Sequence, residues 1–170
     1  PIVALTFDPH PASIVAPDSL PTELLQLAER ISLLHSYGVD SVAVIEFTSE
    51  FSKLSPIEFI DSILITELKA SAIVVGSNFK FGSKAAGNAA TLSSDGRFKV
   101  SAVDLEKEIC APVSSTRIRD AITSGNIEIA RDLLTRPHQL IGPVVHGEKR
   151  GREIGYPTAN IEVSQRATIP

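Results

Sequence analysis

The sequence predicts an α/β fold: a parallel sheet flanked by helices over residues 1–137, then a separate strand-and-loop region over residues 138–170. Three observations carry this. Short β-branched runs at residues 2–7, 41–47, 72–76 and 99–105 are too short for helices and read as buried strands. Longer amphipathic runs separate the first three, so each strand–helix–strand unit closes as a right-handed crossover between parallel strands. At Arg136-Pro137 the composition changes, and a strand-like stretch over residues 139–145 leads into a Gly/Arg-rich loop.

Each element has its own signal. A helix over residues 22–37 places Leu24, Leu25, Ala28, Ile31 and Leu34 or His35 at helical spacing, with Thr22 as its cap and Gly38 where a left-handed residue is wanted. Ser55-Pro56-Ile57-Glu58 predicts a helix that opens on a capping box with proline at its first position and runs to about Lys69. Between Lys80 and Phe98 the regularity fails. Gly82, Gly87, Gly96 and a weak helical stretch must carry a parallel crossover there, which suggests a lost segment near residues 93–97. Two more helices, over residues 115–124 and 126–135, flank Gly125, and the domain boundary falls near Pro137.

Composition narrows the function classes. At 43% hydrophobic and 21% charged the chain reads as a soluble globular protein, and its apolar runs are strand-length, so no transmembrane segment is expected. The opening residues show no signal-peptide pattern. Cys110 is the single cysteine, which excludes an intrachain disulfide and suits a reducing, cytoplasmic compartment. A net charge of -4 argues against a nucleic-acid partner, while leaving room for a local phosphate site. His10, His35, His138 and His146 lack metal-ligand spacing. The chain contains no methionine and opens directly on an apolar run, so an upstream segment is expected.

Four stretches carry chemistry. Ser114-Ser115-Thr116-Arg117-Ile118-Arg119 sets hydroxyls and two guanidinium groups at a helix start, where free amides and the dipole favour an anion. The alternative is an ordinary N-cap with two solvated arginines. Asn78, in the turn Gly76-Ser77-Asn78-Phe79-Lys80-Phe81-Gly82, follows the carboxyl end of a strand, the place where open parallel sheets bind ligands. There Phe79 and Phe81 either line a flat heterocycle's pocket or belong to the core. Asp8-Pro9-His10-Pro11 follows another strand end and reads as a rigid loop or a functional one. In the tail, Gly142, Gly147, Gly151 and Gly155 permit close backbone approach to phosphate, and Lys149, Arg150 and Arg152 make the stretch basic. Thr158 and Asn160 offer neutral oxygens that suit magnesium. A basic surface turn is the alternative, since the spacing matches neither a Walker A loop nor a dinucleotide fingerprint.

In their order along the chain, these stretches resemble the bifunctional riboflavin kinase/FMN adenylyltransferase (FAD synthetase) family of bacteria. Thr6 to Pro11, Val75 to Gly82 and Ser114 to Arg119 resemble the adenylyltransferase half. His146-Gly147, Gly151-Arg152 and Gly155-Tyr156-Pro157-Thr158-Ala159-Asn160 resemble the opening of the kinase half. The resemblance implies a Rossmann-like nucleotidyltransferase domain over residues 1–137 and the start of a small β-barrel kinase over residues 138–170. It implies ATP, FMN and riboflavin as substrates, with Mg2+. Asn78 would sit at the reacting phosphate and, with Phe79 and Phe81, at the flavin. Ser115, Thr116, Arg117, Arg119, Gly147 and Gly155 would bind ATP, and Thr158 and Asn160 would meet the metal. The family's first strand with its His-x-Gly-His loop has no counterpart in residues 1–170, and the kinase part stops at Pro170. This chain taken alone is therefore expected to perform neither reaction well. The rival class is a truncated, non-catalytic remnant that only binds nucleotide or flavin. An adenylyltransferase for pantetheine phosphate or nicotinate mononucleotide is disfavoured, because those families lack the Pro-Thr-Ala-Asn tail.

Overall fold

The computed structural model describes residues 1–104, 107–108, 111–147, 155–156 and 158–170, with the backbone alone at 107, 108 and 111. Leu105, the last residue of the run at 99–105, and Cys110, Lys149, Arg150, Gly151, Arg152 and Pro157 lie outside the described residues. The chain divides into two compact units: Pro1–Pro21 with Leu33–Pro112, and Thr22–Ser32 with Val113–Pro170.

In the first unit the strands are β1 (Val3–Asp8), β2 (Ser41–Glu46), β3 (Ala72–Gly76) and, after a short hairpin, β6 (Lys99–Val103). They pair in parallel as two small sheets. β1 runs beside β2 from Val3↔Ser41 to Asp8↔Glu46, and β3 beside β6 from Ala72↔Lys99 to Gly76↔Val103. Alternation decides which side chains turn inward. Leu5, Phe7, Ile73, Val75 and Val100 pack on a core of Phe59, Ile60, Leu64, Phe81, Leu92 and Phe98. The molecule is thus a mixed α/β protein whose strands pair in parallel, as the run spacing predicts, but the four strands form two two-stranded sheets where one continuous sheet is expected. A two-residue antiparallel pair, β7 (Lys107–Glu108) with β8 (Ala111–Pro112), follows β6 at the end of this unit.

The capping box forms as expected. The Glu58 amide donates to Ser55 Oγ (3.2 Å) and the Ser55 amide to Glu58 Oε2 (2.8 Å), which opens α3 (Pro56–Phe59). The helix reaches Glu67, close to the predicted end, but from Ile60 it winds as a π-helix. Thr66 Oγ1 donates to the Asp61 carbonyl and the Leu68 amide to Ile63, each five residues back.

Residues 80–98 hold more structure than their sequence suggests. β4 (Lys80–Phe81) and β5 (Gly87–Asn88) form an antiparallel hairpin, and α4 (Ala89–Asp95) follows it directly. Asn88 caps that helix through the Thr91 amide (3.0 Å), and Gly96 at φ 79° ends it. Residues 93–97, where a lost segment is expected, are the last turn of α4, its left-handed cap Gly96, and the bend at Arg97. Gly87 is dictated by packing: a side-chain carbon there would sit 2.7 Å from the Phe81 ring.

In the second unit α5 (Ser115–Thr123) and α6 (Ile127–Leu134) agree with the predicted pair and close on Ile118, Ala121, Ile122, Ala130 and Leu133. The helix predicted over residues 22–37 is shorter: α2 spans Leu27–Ser36. Residues 22–26 leave it because the Glu23 amide donates to Arg166 (2.6 Å) and the Thr168 amide to Glu23 (2.9 Å), a tertiary pairing that outcompetes local helix propensity. The strand predicted over residues 139–145 shrinks to β9 (Val144–Val145), paired antiparallel with β10 (Asn160–Ile161). Pro143 interrupts it, having no amide to give to a ladder.

Candidate functional site

At the carboxyl end of β3 the chain turns sharply, with the Phe79 amide donating to the Gly76 carbonyl (2.9 Å). Asn78 is exposed and folds back over the strand end. Its Oδ1 lies 3.0 Å from where a side-chain carbon on Gly76 would sit, so glycine makes room for it. Phe79 stacks on Phe81 with centroids 5.6 Å apart and an interplanar angle of 15°. The two rings differ in station: Phe81 is a buried core residue, and Phe79 is half-buried above it. The aromatic contacts run on through Phe59 (5.3 Å) and Phe51 (6.1 Å) to Phe7 (5.6 Å), at the end of β1. The turn after β3 and the loop after β1 therefore rise from one aromatic wall. In that loop His10 acts on its own neighbours. Its Nδ1 accepts from the Ala12 amide (3.1 Å) at the start of α1 (Ala12–Val15), and its carbonyl accepts from Ser13 Oγ (2.7 Å).

In the second unit Ser114 caps α5 by accepting from the Arg117 amide (3.3 Å). Ser115 and Thr116 are exposed on the first turn, where helix amides have no partner within the helix, and Arg117 and Arg119 are half-buried. Arg119 Nε donates to the Thr22 carbonyl at 2.6 Å. Burial pulls the Arg119 guanidinium below its ordinary range, with Asp120 opposing the shift. Around Thr22 lies a network that sequence reading missed. Thr22 Oγ1 meets Thr168 Oγ1 at 2.7 Å, Thr168 Oγ1 donates to the Glu23 carbonyl at 3.0 Å, and His138 Nε2 reaches the Thr168 carbonyl at 2.9 Å. No spacing signals it, because its members lie up to 146 residues apart.

In the tail two predicted residues come together. The Asn160 side chain occupies the space a Gly147 side chain would need, so the two match across the β9–β10 hairpin. Gly142 is required in the same way by the Glu162 carbonyl. Thr158 and Gly155 are exposed, Gly155 at φ 80°. Among the described residues no cluster of three or more His, Cys, Asp or Glu could hold a metal. A site here would rest instead on the hydroxyl of Thr158 and the amide oxygen of Asn160.

The model of the FAD synthetase family matches residues 1–117, and that of riboflavin kinase matches residues 134–170. The chain belongs to the FAD synthetase family. Among its relatives is a bifunctional riboflavin kinase/FMN adenylyltransferase from Listeria monocytogenes, 41% identical over 98% of this chain and 54% of that protein. Proteins of the same name from Buchnera aphidicola and Escherichia coli are 40% and 32% identical, over 99% of this chain and 54% and 55% of theirs. The chain thus spans about half the length of the curated relatives it matches. A crystal structure described as a macrolide-efflux protein from Streptococcus pneumoniae superposes with a TM-score of 0.88 at 37% identity, covering 100% of this chain and 56% of that one. The efflux in that description concerns that protein. Among the described residues of this FAD synthetase family chain, no helix is long and apolar enough to cross a membrane.

Proposed function

We propose that the protein makes FAD by transferring AMP from ATP to FMN, and that the whole polypeptide also phosphorylates riboflavin to FMN. The observation that carries this reading is the tandem order of the two family matches on one chain, residues 1–117 followed by 134–170. On this reading residues 1–137 form a Rossmann-like adenylyltransferase domain and residues 138–170 begin a β-barrel kinase domain. In adenylyl transfer an FMN phosphate oxygen attacks the α-phosphorus of ATP and pyrophosphate leaves. Positioning and charge stabilisation are the protein's main contribution to such chemistry.

The residues divide the work by location. Asn78, exposed beyond β3, offers a donor and an acceptor to the reacting phosphate. Half-buried Phe79 offers a face to the flavin, with Phe81 as its support from within the core. The first turn of α5 presents Ser115 and Thr116 to the ATP phosphates, flanked by Arg117 and Arg119. In the tail, Gly155 leaves backbone open to the kinase ATP, and Gly147, whose side-chain space Asn160 fills, offers ATP its backbone groups alone. Thr158 and Asn160 are hard, neutral oxygen donors of the kind magnesium accepts beside phosphates. Magnesium bound there would neutralise charge on the transferring phosphoryl group. Substrates of this kind place the protein in the cytoplasm, in keeping with a single cysteine.

Separate half-reactions test the reading in the full-length protein. Thr158→Ala should remove most FMN formation, a loss of about 10²-fold or more if the hydroxyl meets the metal. FAD formation from supplied FMN should stay near the parental rate. If Thr158 only satisfies a turn, both activities fall modestly together with the melting temperature. Riboflavin phosphorylation at the parental rate would remove the kinase part of the proposal.

A further inference from the structure

We infer that Thr168 is a positioning residue for adenylyl transfer: through Thr22 it holds Arg119 in place, so the segment matched by the kinase model shapes the ATP site at α5. The inference rests on the reading of Arg119 as a phosphate-binding residue.

Thr168 is fully buried, the one polar residue among the described side chains that is. A buried hydroxyl is costly unless its bonding is satisfied, and here it is satisfied in one arrangement. The hydroxyl has one proton, which goes to the Glu23 carbonyl at 3.0 Å. It must therefore accept at the 2.7 Å contact with Thr22 Oγ1, and Thr22 is the donor. The Thr168 carbonyl accepts from His138 Nε2 at 2.9 Å, which puts the ring proton on that nitrogen. Two backbone bonds, Glu23 amide to Arg166 carbonyl (2.6 Å) and Thr168 amide to Glu23 carbonyl (2.9 Å), brace the same strap. An ion pair between Arg166 Nη1 and Glu23 Oε1 (3.0 Å) lies over it.

The consequence for Arg119 is geometric. A backbone carbonyl can hold a long side chain only if the carbonyl itself is held. The Thr22 carbonyl takes Arg119 Nε at 2.6 Å, and Thr22 is anchored by its own hydroxyl to Thr168. Binding through Nε leaves the terminal nitrogens of the fork for an incoming phosphate and removes rotamer freedom before ATP arrives. Thr168 does this without touching the nucleotide.

The test uses the full-length protein, following FAD formation at saturating FMN while ATP is varied. Thr168→Val keeps the volume and deletes the hydroxyl. It should raise KM for ATP about tenfold, the scale of one buried hydrogen bond, with kcat changed less than about twofold. Thr168→Ser should restore the parental KM. Thr22→Val, altered at an exposed position, should reproduce the Thr168→Val effect if the buried variant folds poorly. In an Arg119→Ala background, Thr168→Val should add nothing further. An equal KM increase in both backgrounds, or a lower melting temperature at unchanged KM, would overturn the positioning role alone. A parental KM in Arg119→Ala would instead overturn the phosphate assignment of Arg119, and the inference with it.

Discussion

Arg97 holds two carboxylates that the sequence sets far apart. Its Nε and Nη2 reach Asp95 at 2.6 and 2.7 Å, and Nη2 also meets Asp61 at 2.5 Å. The Arg97 side chain holds the Asp95 carboxyl below its usual range, and the two carboxylates raise the guanidinium's own pKa. The sign follows from the lowered carboxyl. The pairing stabilises fully above the ordinary aspartate pKa and is lost as pH falls through the depressed one. Arg97 and Asp61 are exposed and Asp95 is only half-buried, so the effect is small and salt-sensitive. Arg97→Gln should therefore lower the melting temperature near neutral pH, with the gap closing as pH falls through the lowered Asp95 range. A gap that stays constant across that range would show that the bridge contributes nothing through charge. The same residue clips the last turn of α4 to the π-helix, which no spacing of charges along the chain announces.

Among the elements, the starts of α3 and α5 were legible, because a cap is a local device. Ser55-Pro56-Ile57-Glu58 forms its box as written, and Ser114 caps α5 at the predicted place. Hydrogen bonds from Ser55, the backbone one foremost, hold the Glu58 carboxyl below its ordinary range. Ser55→Ala should destabilise the protein by about 1 kcal/mol, read as a shift in the denaturation midpoint. A shift below about 0.3 kcal/mol would mean that core packing alone sets that end. The start of α2 was not legible, since Leu24 and Leu25 continue the helical spacing of residues 27–36 and Thr22 stands where a cap would be. The backbone groups of Glu23 pair with Arg166 and Thr168 instead, and sequence spacing holds no information on that pairing. The hairpin over Lys80–Asn88 was hidden for a related reason: its strands are two residues each, below the length at which periodicity speaks.

At the scale of the molecule, the described residues form two cores, one around Ile60 and Leu92 and one around Ile122 and Ala130, with no described residue in common. Leu92→Ala and Ile122→Ala should each cost about 2–5 kcal/mol, because both side chains are essentially inaccessible. Among the described residues the two share no packing partner, so the two costs should add within about 0.5 kcal/mol. Hydrogen exchange should localise them, Leu92→Ala releasing amides in residues 33–112 and Ile122→Ala in residues 113–170. Matching loss of protection in both regions from either substitution would show that the two cores unfold as one.

What the sequence determined by itself was the local and the ordered: four strands, the caps of α3 and α5, the α5–α6 pair, and the order of motifs that marks an FAD synthetase family chain. These follow from period, composition and residue identity over a few positions. Tertiary structure decided the rest. It chose which strands pair, drew residues 22–26 out of their helix, and buried Phe81 while leaving Phe79 half-exposed. It set Asn160 against Gly147 and tied Arg119 through Thr22 to Thr168. In each case the deciding energy is a hydrogen bond or a packing contact between residues far apart in the chain. Such partners exist only once the chain has closed on itself.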